Sequence, residues 1–296
     1  RLESSVKSFE ITMGRTIAKI EALERKIRNY QAMPGQNPES DELELELDVP
    51  DGDEDAEAAL LVGGKLKYHL QHMRLDDWLK DLQRDKEQLS LLHAAAKDVT
   101  AERDAKLKEL KRLIEQKVRH PSINKQGQEN KKVLVFTAFA DTASYLFESI
   151  RTWATKELGI HVALVTGGGD NQTSFGKSDF NYILTNFSPR AKKREKIPSM
   201  PQTAEIDLLI ATDCISEGQN LQDCDYLINY DIHWNPVRII QRFGRIDRIG
   251  SVNHTVQLVN FWPTQDLDKY VNLKNRVEAR MALVDIAATF EDNILK

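Results

Sequence analysis

From Lys131 onward, short apolar runs alternate with longer amphipathic stretches, and this alternation is the strongest constraint on the fold. Short apolar runs bounded by polar residues are typical of strands that are buried on both faces of a sheet. Strands that alternate with helices form parallel sheets, because each helical crossover returns the chain to the same end of the sheet. We therefore predict an α/β fold, a parallel sheet with helices on both faces. The predicted strands are residues 133–137, 161–165, 206–211, 225–230 and 254–261.

The chain before this sheet is predicted to be mainly helical. Apolar residues three and four positions apart mark one long amphipathic helix within residues 1–33. A second helix carries Leu75 to Leu92, and a third carries Leu107 to Val118 and stops at His120-Pro121. A last helix is predicted from about Gln265, packing back onto the sheet or onto the first helix.

The net charge of −5 is unevenly distributed. Most of the acidic excess lies between Glu39 and Glu57, a segment that contains no Lys or Arg. Like charges interspersed with Pro and Gly predict a mobile, self-repelling linker. The chain then divides into three regions. They are residues 1–58, a long helix and an acidic flexible linker; 59–120, an α-helical segment; and 121–296, the α/β region, which opens with a polar linker.

Composition favours a soluble, cytoplasmic protein with no membrane partner. No apolar run approaches the roughly 20 residues that a membrane helix needs, and the amino end does not resemble a signal peptide. Cys214 and Cys224 are the only cysteines, which argues against a disulfide framework and against a zinc site. No metal ligands are therefore predicted in the chain.

Ligands of open α/β sheets bind where strands end and the chain turns into a helix. The predicted edge gathers Thr137, the triplet Gly167-Gly168-Gly169, the segment Thr212 to Gly218, and the segment Asp231 to Asn235. The glycine triplet can present backbone N–H groups to a phosphate, although a plain flexible loop fits equally well. Gly218 allows the backbone to approach a ligand closely, and Asn220 supplies a side-chain amide.

Three arginines spaced three residues apart lie in the segment Trp234 to Ile249: Arg242, Arg245 and Arg248. Asn235 can cap a helix here, and Pro236 fits its first turn, where a missing N–H costs nothing. The spacing predicts that the arginines lie along one side of the helix. Their planar guanidinium groups suit a polyphosphate whose negative charge grows during reaction. A solvated basic helix face is the alternative.

A second basic cluster follows Pro189 and contains Arg190, Lys192, Lys193 and Arg194. It can neutralise nucleic-acid phosphates, which would make binding sensitive to salt. The alternative is a solvated loop. No aromatic residues are interleaved with these charges, so tracking of the nucleic-acid backbone is favoured over base stacking.

Three segments, Val133 to Phe139, Ile206 to Gln222 and Trp234 to Ile249, resemble motifs IV, V and VI of superfamily 2 helicases and translocases, in that order. The run Asn229 to Pro236 narrows the resemblance to the Swi/Snf-like branch, and Gln241 to Gly250 looks most like its bacterial members. The opening Arg1-Leu-Glu-Ser-Ser also resembles the segment that leaves the first motor lobe in that group. The resemblance implies the C-terminal RecA-like lobe of an ATP-dependent DNA translocase or helicase.

This resemblance also implies residue roles. Arg245 and Arg248 correspond to arginine fingers, with Gln241 and Arg242 supporting them at the nucleotide. Gly218 and Asn220 correspond to positions near the ribose, although many relatives carry Asp where Asn220 stands. The residues expected to contact duplex DNA are Thr137, Gly167, Thr212, Arg190, Lys192, Lys193 and Arg194.

The 296 residues contain no phosphate-loop signature and no acidic magnesium-binding box after a strand. ATP and Mg²⁺ would therefore be bound mainly by an N-terminal RecA-like lobe of the same protein. We expect this chain alone to be inactive as an ATPase.

Two other functions remain open from the sequence. One is the corresponding lobe of an RNA helicase, against which Trp234-Asn-Pro236 and the preceding helices argue. The other is a protein-interaction module, in which helices within residues 1–120 bind a partner such as RNA polymerase or a subunit of a defence system. The second function can coexist with a motor lobe.

Overall fold

The computed structural model describes residues 2, 4–32, 42–45, 66–215, 218–232 and 236–262. These residues divide into two compact units. Leu2 and Val6–Arg103 belong to the first unit, and Ser4, Ser5 and the residues from Asp104 onward belong to the second. Within the described ranges, no helix combines the length and the apolarity that a bilayer crossing requires.

The first unit is built on two long helices, α1 (Val6–Ala32) and α2 (Leu75–Lys97). Their apolar faces pack together, with Ile27 and Leu82 buried beside the half-buried Trp78. Glu24 on α1 accepts a hydrogen bond from Lys86 on α2 at 2.6 Å. The predicted amphipathic character of both helices is confirmed, because the residues three and four positions apart form the shared core.

Part of the acidic segment is ordered as a strand, which differs from the predicted linker. Strand β1 (Glu42–Leu45) pairs with β2 (Leu66–His69) in an antiparallel hairpin. The sequence Glu-Leu-Glu-Leu alternates with a period of two, which is the strand period. Residues 33–41 and 46–65 lie outside the described residues.

The second unit contains a six-stranded sheet in the order β10-β9-β5-β8-β6-β7. The five predicted strands are confirmed, each slightly shorter than expected, and they pair in parallel. A short sixth strand, which the sequence did not reveal, pairs antiparallel with β6. The strands are β5 (Val133–Phe136), β6 (Val162–Val165), β7 (Gln172–Thr173), β8 (Leu208–Ala211), β9 (Tyr226–Asn229) and β10 (Gln257–Asn260).

Helices connect these strands and cover the apolar core of the sheet. They are α4 (Ala140–Glu157), α5 (Phe180–Phe187) and α6 (Pro236–Phe243). The four residues of each of β5, β6, β8 and β9 are all buried, as expected for strands whose two faces are covered. The α/β class, with a mostly parallel sheet preceded by helices, is thus confirmed.

Helix α3 (Ala105–Arg119) belongs to the sheet unit, although the sequence grouped it with the preceding helices. It runs antiparallel to β9 and is held at both ends. Lys106 Nζ lies 3.3 Å from Asp231 Oδ1, beyond the carboxyl end of β9, and Lys117 Nζ lies 2.9 Å from Asp225 Oδ1, just before its amino end. The predicted stop is confirmed, since the helix ends at Arg119.

Smaller differences concern the connections. Residues 122–130, predicted as part of a polar linker, form the hairpin β3 (Ser122–Ile123) and β4 (Glu129–Asn130), which turns at Gly127 with a φ of +75°. Helix α4 begins at Ala140, so Asp141 lies in its first turn. The helix predicted from about Gln265 lies outside the described residues.

Candidate functional site

The carboxyl ends of β5, β6, β8 and β9 meet at one edge of the sheet, because these strands are parallel. The loops that follow are joined by backbone hydrogen bonds. Thr137 N donates to Ala211 O at 3.0 Å, and Thr212 N donates to Val165 O at 3.2 Å. The structure thus brings Thr137, Thr212 and the loop that starts at Gly167 to the edge where the sequence predicted a ligand.

Two threonines at this edge were predicted to contact DNA, and both are buried. Thr137 has no exposed surface, and its hydroxyl donates to Asp231 Oδ2. This hydroxyl is therefore used inside the protein, which corrects the prediction for Thr137. Thr212 is 9% exposed, and its hydroxyl donates to Cys214 Sγ at 3.4 Å. Contact of Thr212 with a nucleic acid stays a prediction.

The glycine triplet forms an exposed loop after β6. Gly169 has a φ of +82°, a conformation that residues with a side chain rarely adopt, and its N–H donates to Thr166 O at 3.3 Å. Gly167 lies close to Cys214, since an added Cβ would stand 3.6 Å from the Cys214 Cβ. The loop therefore lies beside the residues that follow β8, and its proposed contact with phosphate stays a prediction.

Arg242, on α6, is fully buried and forms an ion pair inside the protein. Its Nε and Nη2 atoms donate to the two carboxylate oxygens of Asp213 at 2.6 and 2.8 Å. Nη1 donates to Asn229 Oδ1 and to the Asp231 carbonyl, each at 3.0 Å. The guanidinium also lies over the Phe136 ring, 5.1 Å from its centroid. The expected contact of Arg242 with a nucleotide is thereby corrected: this arginine joins the loops that follow β8 and β9.

Arg245 and Arg248 do not share a helix with Arg242, because α6 ends at Phe243 and the chain continues in turns. Arg245 is half-buried, and its Nε donates to Gln241 O at 3.1 Å. Arg248 is exposed, and its Nε donates to Gly244 O at 3.0 Å. The predicted row of three arginines on one helix face is wrong, and exposure instead increases from Arg242 to Arg248.

Two other predicted members of this site lie near α6. The buried Gln241 Oε1 accepts no hydrogen bond within the described part of the chain. Asn220 uses its Oδ1 to accept a hydrogen bond from Gln222 N at 3.2 Å. Asn235, the predicted cap of α6, lies outside the described residues, whereas Pro236 is the first residue of the helix as predicted.

The loop with Gly218 and Asn220 is attached directly to the arginine segment. Leu221 N donates to the Arg245 carbonyl at 3.0 Å. Gly218 is exposed with a φ of +69°, a left-handed conformation that favours glycine. The structure therefore brings together the two segments that the sequence assigned to a nucleotide. The roles of Gly218 and Asn220 at a ribose stay predictions.

The basic cluster after Pro189 contains three residues that reach the surface and one that does not. Arg190 and Lys193 are exposed, and Lys192 is half-buried. Lys192 Nζ donates to Gln219 Oε1 at 2.6 Å, which links this cluster to the loop that carries Gly218 and Asn220. Burial lowers the pKa of Lys192 from its ordinary value. These three residues remain candidates for contact with nucleic-acid phosphates.

Arg194 is only 4% exposed and serves a local structural purpose. Its Nη1 atom donates to Asn186 Oδ1 and to Ala204 O at 3.1 and 2.8 Å. Its Nη2 atom donates to Gln202 O and Glu205 Oε1 at 3.2 and 3.4 Å. Arg194 thus closes its own loop, which corrects its predicted contact with DNA.

Two aspartates, Asp213 and Asp231, bind groups at this edge, and a third, Asp223, binds the start of the basic cluster ahead of β9; none of the three had a predicted role. Asp213 pairs with Arg242, and Asp231 accepts hydrogen bonds from several elements. Asp223 accepts from Arg190 N at 2.7 Å and from Ala191 N at 3.1 Å, which fixes the start of the basic cluster, and burial raises its pKa. An acidic residue shortly after a buried strand is the sequence signal that could have identified Asp213, after β8, and Asp231, after β9. Asp223 does not follow this pattern.

Comparison with known proteins finds similarity to helicases over about half of the chain. Residues 105–250 match the family model described as the helicase conserved C-terminal domain. An uncharacterized ATP-dependent helicase, YqhH, of Bacillus subtilis is 31% identical over 140 residues, which are 47% of this chain and 20% of that protein. The putative ATP-dependent DNA helicase fml2 of Schizosaccharomyces pombe is 28% identical over 139 residues, 47% of this chain and 16% of that protein.

The ATP-dependent RNA helicase DBP8 of Candida albicans is 30% identical over 89 residues, 30% of this chain and 19% of that protein. The matched segment therefore spans a fifth or less of the length of each of these relatives. Among solved structures, the C-terminal part of the Fun30 ATPase domain aligns with a TM-score of 0.39 and 17% identity, over 61% of this chain and 52% of that one. Residues 105–250 are thus similar to the C-terminal domain of superfamily 2 helicases.

Proposed function

We propose that this chain is the C-terminal motor lobe of a Swi/Snf-like, ATP-dependent DNA translocase or helicase. In this proposal, Arg245 and Arg248 reach the phosphates of a nucleotide held mainly by an N-terminal lobe. The basic cluster and the loop at Gly167 contact the backbone of duplex DNA. Hydrolysis then depends on closure of the two lobes, because the arginines stabilise transition-state charge only when they reach the nucleotide.

The hydrogen bond from Leu221 N to the Arg245 carbonyl is the observation that carries this proposal. It joins the loop of Gly218 and Asn220 to the arginine segment, and Arg242 of that segment is bonded to Asp213 and Asp231 at the carboxyl edge of the sheet. Arg242 is buried and neutralised by Asp213, whereas Arg245 and Arg248, which follow it, retain exposed surface. Planar guanidinium groups in such a position suit a phosphoryl group.

ATP and Mg²⁺ are the ligands that suit a nucleotide site shared by two lobes. The nucleotide phosphates match the cationic groups of Arg245 and Arg248, and the backbone at Gly218 can approach a sugar closely. Among the described residues, no group of three or more His, Cys, Asp or Glu side chains is placed to hold a metal ion. We therefore assign the metal ligands to the N-terminal lobe. Bound Mg²⁺ would neutralise phosphate charge, and this chain would add the arginines.

The contact between Lys192 and Gln219 supports the proposed DNA surface. It places a lysine of the basic cluster beside the loop of Gly218 and Asn220. Arg190 is held nearby, because its backbone N–H is fixed by Asp223. Hydrogen bonds hold the loop that carries these charges. Charged side chains suit contact with the phosphate backbone, whereas base sequence is read by contacts with base edges.

The arginine assignment is tested in the full-length protein that contains this chain. Arg245→Ala and Arg248→Ala should each lower the ATPase rate by on the order of 10³-fold, because transition-state charge loses its partner. DNA binding should change little. Arg119→Ala, which removes an exposed arginine paired with Glu115, is the matched control and should retain full activity. Equal loss of ATPase activity and DNA binding in the two variants would contradict the assignment.

The substrate is tested by stimulation of the ATPase. We expect duplex DNA to stimulate hydrolysis more than duplex or single-stranded RNA of the same length. The triple variant Arg190→Ala, Lys192→Ala, Lys193→Ala should weaken DNA binding and flatten its dependence on salt. The similarity to DBP8 favours an RNA helicase as the alternative function, and stronger stimulation by RNA would establish that alternative instead.

The need for a second lobe is tested with the 296-residue chain itself. We expect no ATPase activity above background from this chain, because it contains no phosphate loop. Activity that persists through purification and disappears in Arg245→Ala would refute this expectation. Addition of the N-terminal lobe as a separate polypeptide should restore measurable hydrolysis when the two lobes associate.

A partner-binding role of the first unit is a further candidate. Helix α2 exposes Leu91 and Leu92, with 74% and 51% of their surface accessible. Adjacent exposed leucines favour contact with an apolar surface of another protein. Capture of a defined partner by the whole chain, and its loss in a Leu91→Gln, Leu92→Gln double variant, would support this role. Equal capture by the double variant would argue against it.

A further inference from the structure

Two serines near the start of the chain are buried in a hydrogen-bond network centred on the Asp231 carboxylate. Ser4 Oγ donates to Asp231 Oδ2 at 2.7 Å. The hydroxyls of Ser4 and Ser5 also lie 2.6 and 3.2 Å from the Thr142 hydroxyl on α4. Both serines are almost fully buried, and they belong to the sheet unit, whereas residues 6–32 directly after them belong to the helical unit. The hydroxyls of Ser4 and Ser5 therefore hold the chain to the sheet unit at the point where it passes into the helical unit, between Ser5 and Val6.

The second connection between the two units ends in the same network. The helical unit ends at Arg103, and the sheet unit resumes at Asp104, which caps α3 and accepts a hydrogen bond from the Tyr145 hydroxyl at 2.8 Å. Two residues later, Lys106 Nζ donates to the Ser4 carbonyl at 2.8 Å. Lys106 also pairs with Asp231. Both connections are thus fixed to the sheet unit by residues that contact each other.

The centre of this network is joined to the arginine helix. The Asp231 carbonyl accepts a hydrogen bond from Arg242 Nη1 at 3.0 Å, and Arg242 in turn holds both carboxylate oxygens of Asp213. Asp231 also precedes α6 by only a few residues in sequence. A hydrogen-bonded path therefore runs from Ser4 through Asp231 and Arg242 to the loop that follows β8.

Several donors stabilise the buried carboxylate of Asp231. It is 7% exposed, and its carboxylate accepts hydrogen bonds from the Ser4 hydroxyl, the Thr137 hydroxyl and Ala138 N, with Lys106 as its ion pair. A buried carboxylate is costly unless its charge and its hydrogen-bonding capacity are satisfied. Loss of one donor therefore favours a shift of the residue toward water, and that shift displaces the carbonyl that Arg242 uses.

We propose that Ser4 and Asp231 form a coupling contact between the chain segment that enters α1 and the arginine segment. A displacement of the chain at either connection moves Asp231, and thereby changes the positions of Arg242 and of Arg245 and Arg248 after it. Ser4 and Asp231 are positioning residues in this scheme. The functional consequence rests on the proposed role of Arg245 and Arg248, whereas the mechanical coupling itself does not.

Hydrogen–deuterium exchange on the 296-residue chain tests the coupling. Ser4→Ala should accelerate exchange about fivefold in peptides that cover Asp225–Ile232 and α6 with its following turns, because one buried hydrogen bond is lost from that network. Exchange in β6 and β7 should not change. Ser4→Thr, which retains the hydroxyl, should restore the slower exchange. Ser174→Ala is the matched control, because it removes a hydroxyl bonded to Val162 N at the far side of the sheet.

Faster exchange confined to the first residues of the chain, with α6 unchanged, would overturn the coupling. Uniform acceleration across the sheet would overturn it too, because it would indicate general destabilisation. Lys106→Met is a second variant that keeps an apolar stem over the Tyr230 ring, and it should give the same regional pattern. In the full-length protein, Ser4→Ala should lower kcat severalfold with little change in KM for ATP. An unchanged kcat beside a confirmed exchange pattern would instead count against the role of the arginines.

Discussion

The two predicted phosphate-binding clusters are built alike, but their buried arginines bind different parts of the structure. Each contains one buried arginine, Arg242 in the segment of α6 and Arg194 in the cluster after Pro189. In each cluster, other basic residues reach the surface. The difference lies in the partners. Arg242 bonds to Asp213 and Asn229, which follow or end other strands, whereas the partners of Arg194 all lie within residues 186–205.

This difference indicates what each cluster can transmit. Because Arg242 joins the loops of two strands, a displacement there reaches the whole carboxyl edge. Arg194 shapes one loop, so its effects should remain local. In the proposed function, the surface arginines and lysines that accompany them are the residues that bind phosphates. Removing Arg242 and Arg194 separately tests whether the effects of the first are long-range and those of the second are local.

The largest effect is expected from Arg242→Ala. It leaves Asp213 without its bidentate partner and removes donors from Asn229 and Asp231, so the free energy of unfolding should fall by about 3 kcal/mol. Urea denaturation of the 296-residue chain measures this fall. Arg242→Lys, which keeps the charge without the planar fork, should recover only part of it. A change below about 1 kcal/mol would show that the ion pair does not hold the edge together.

A smaller effect, about 2 kcal/mol, is expected from Arg194→Ala. Its acceptors are mostly neutral carbonyl oxygens, and the surrounding loop can hydrate them after local opening. Hydrogen exchange should accelerate within residues 186–205 and stay unchanged in α6. Lys196→Ala, which removes an exposed charge from the same turn, serves as the control. Faster exchange in α6 would contradict the contrast between local and long-range arginines.

A still smaller change in stability is expected from Arg248→Ala. This side chain is exposed and donates to the Gly244 carbonyl of its own turn, so the free energy of unfolding should change by about 0.5 kcal/mol or less. The proposed loss of ATPase activity would then be separate from stability. A fall of more than about 1.5 kcal/mol would mean that Arg248, like Arg242, is structural.

The smallest effect is expected in the pH dependence of stability through Asp223. Burial raises the pKa of this carboxyl above its ordinary value of 3.8. Between that value and the raised one, the folded chain binds more protons than the unfolded chain, so this group makes the free energy of unfolding fall as pH rises. Asp223→Asn should flatten this slope in urea denaturation at a series of mildly acidic pH values. An unchanged slope would exclude Asp223 as its source.

The sheet was predictable, since β5, β6, β8 and β9 are continuous apolar runs and their order along the chain determines which loops meet. Strand β7 was not, because two polar residues, Gln172 and Thr173, show no periodicity. Strand β1 was predictable from alternation and was hidden by its charge. In each case the outcome depends on whether local pattern or tertiary pairing determines the conformation.

The candidate site was predictable in position and less so in detail. Arginine spacing located the segment of α6, but spacing alone does not reveal which guanidinium finds a buried carboxylate. The pairing of Arg242 with Asp213 requires the ends of two strands and a helix to be in place. The same applies to Thr137, whose hydroxyl is bonded to Asp231 across the sheet edge. Burial of a polar side chain is a property of the assembled fold, which one sequence does not disclose.

The lysines at positions 106 and 117 bind aspartates on either side of β9, so helix α3 is attached along the full length of a central strand. The helix spans about 16 Å between them and the strand about 20 Å between its aspartates. A force that enters the chain at Asp104 along the axis of α3 would therefore load both ion pairs in shear. Such an arrangement suits a component that must withstand repeated pulling without local melting.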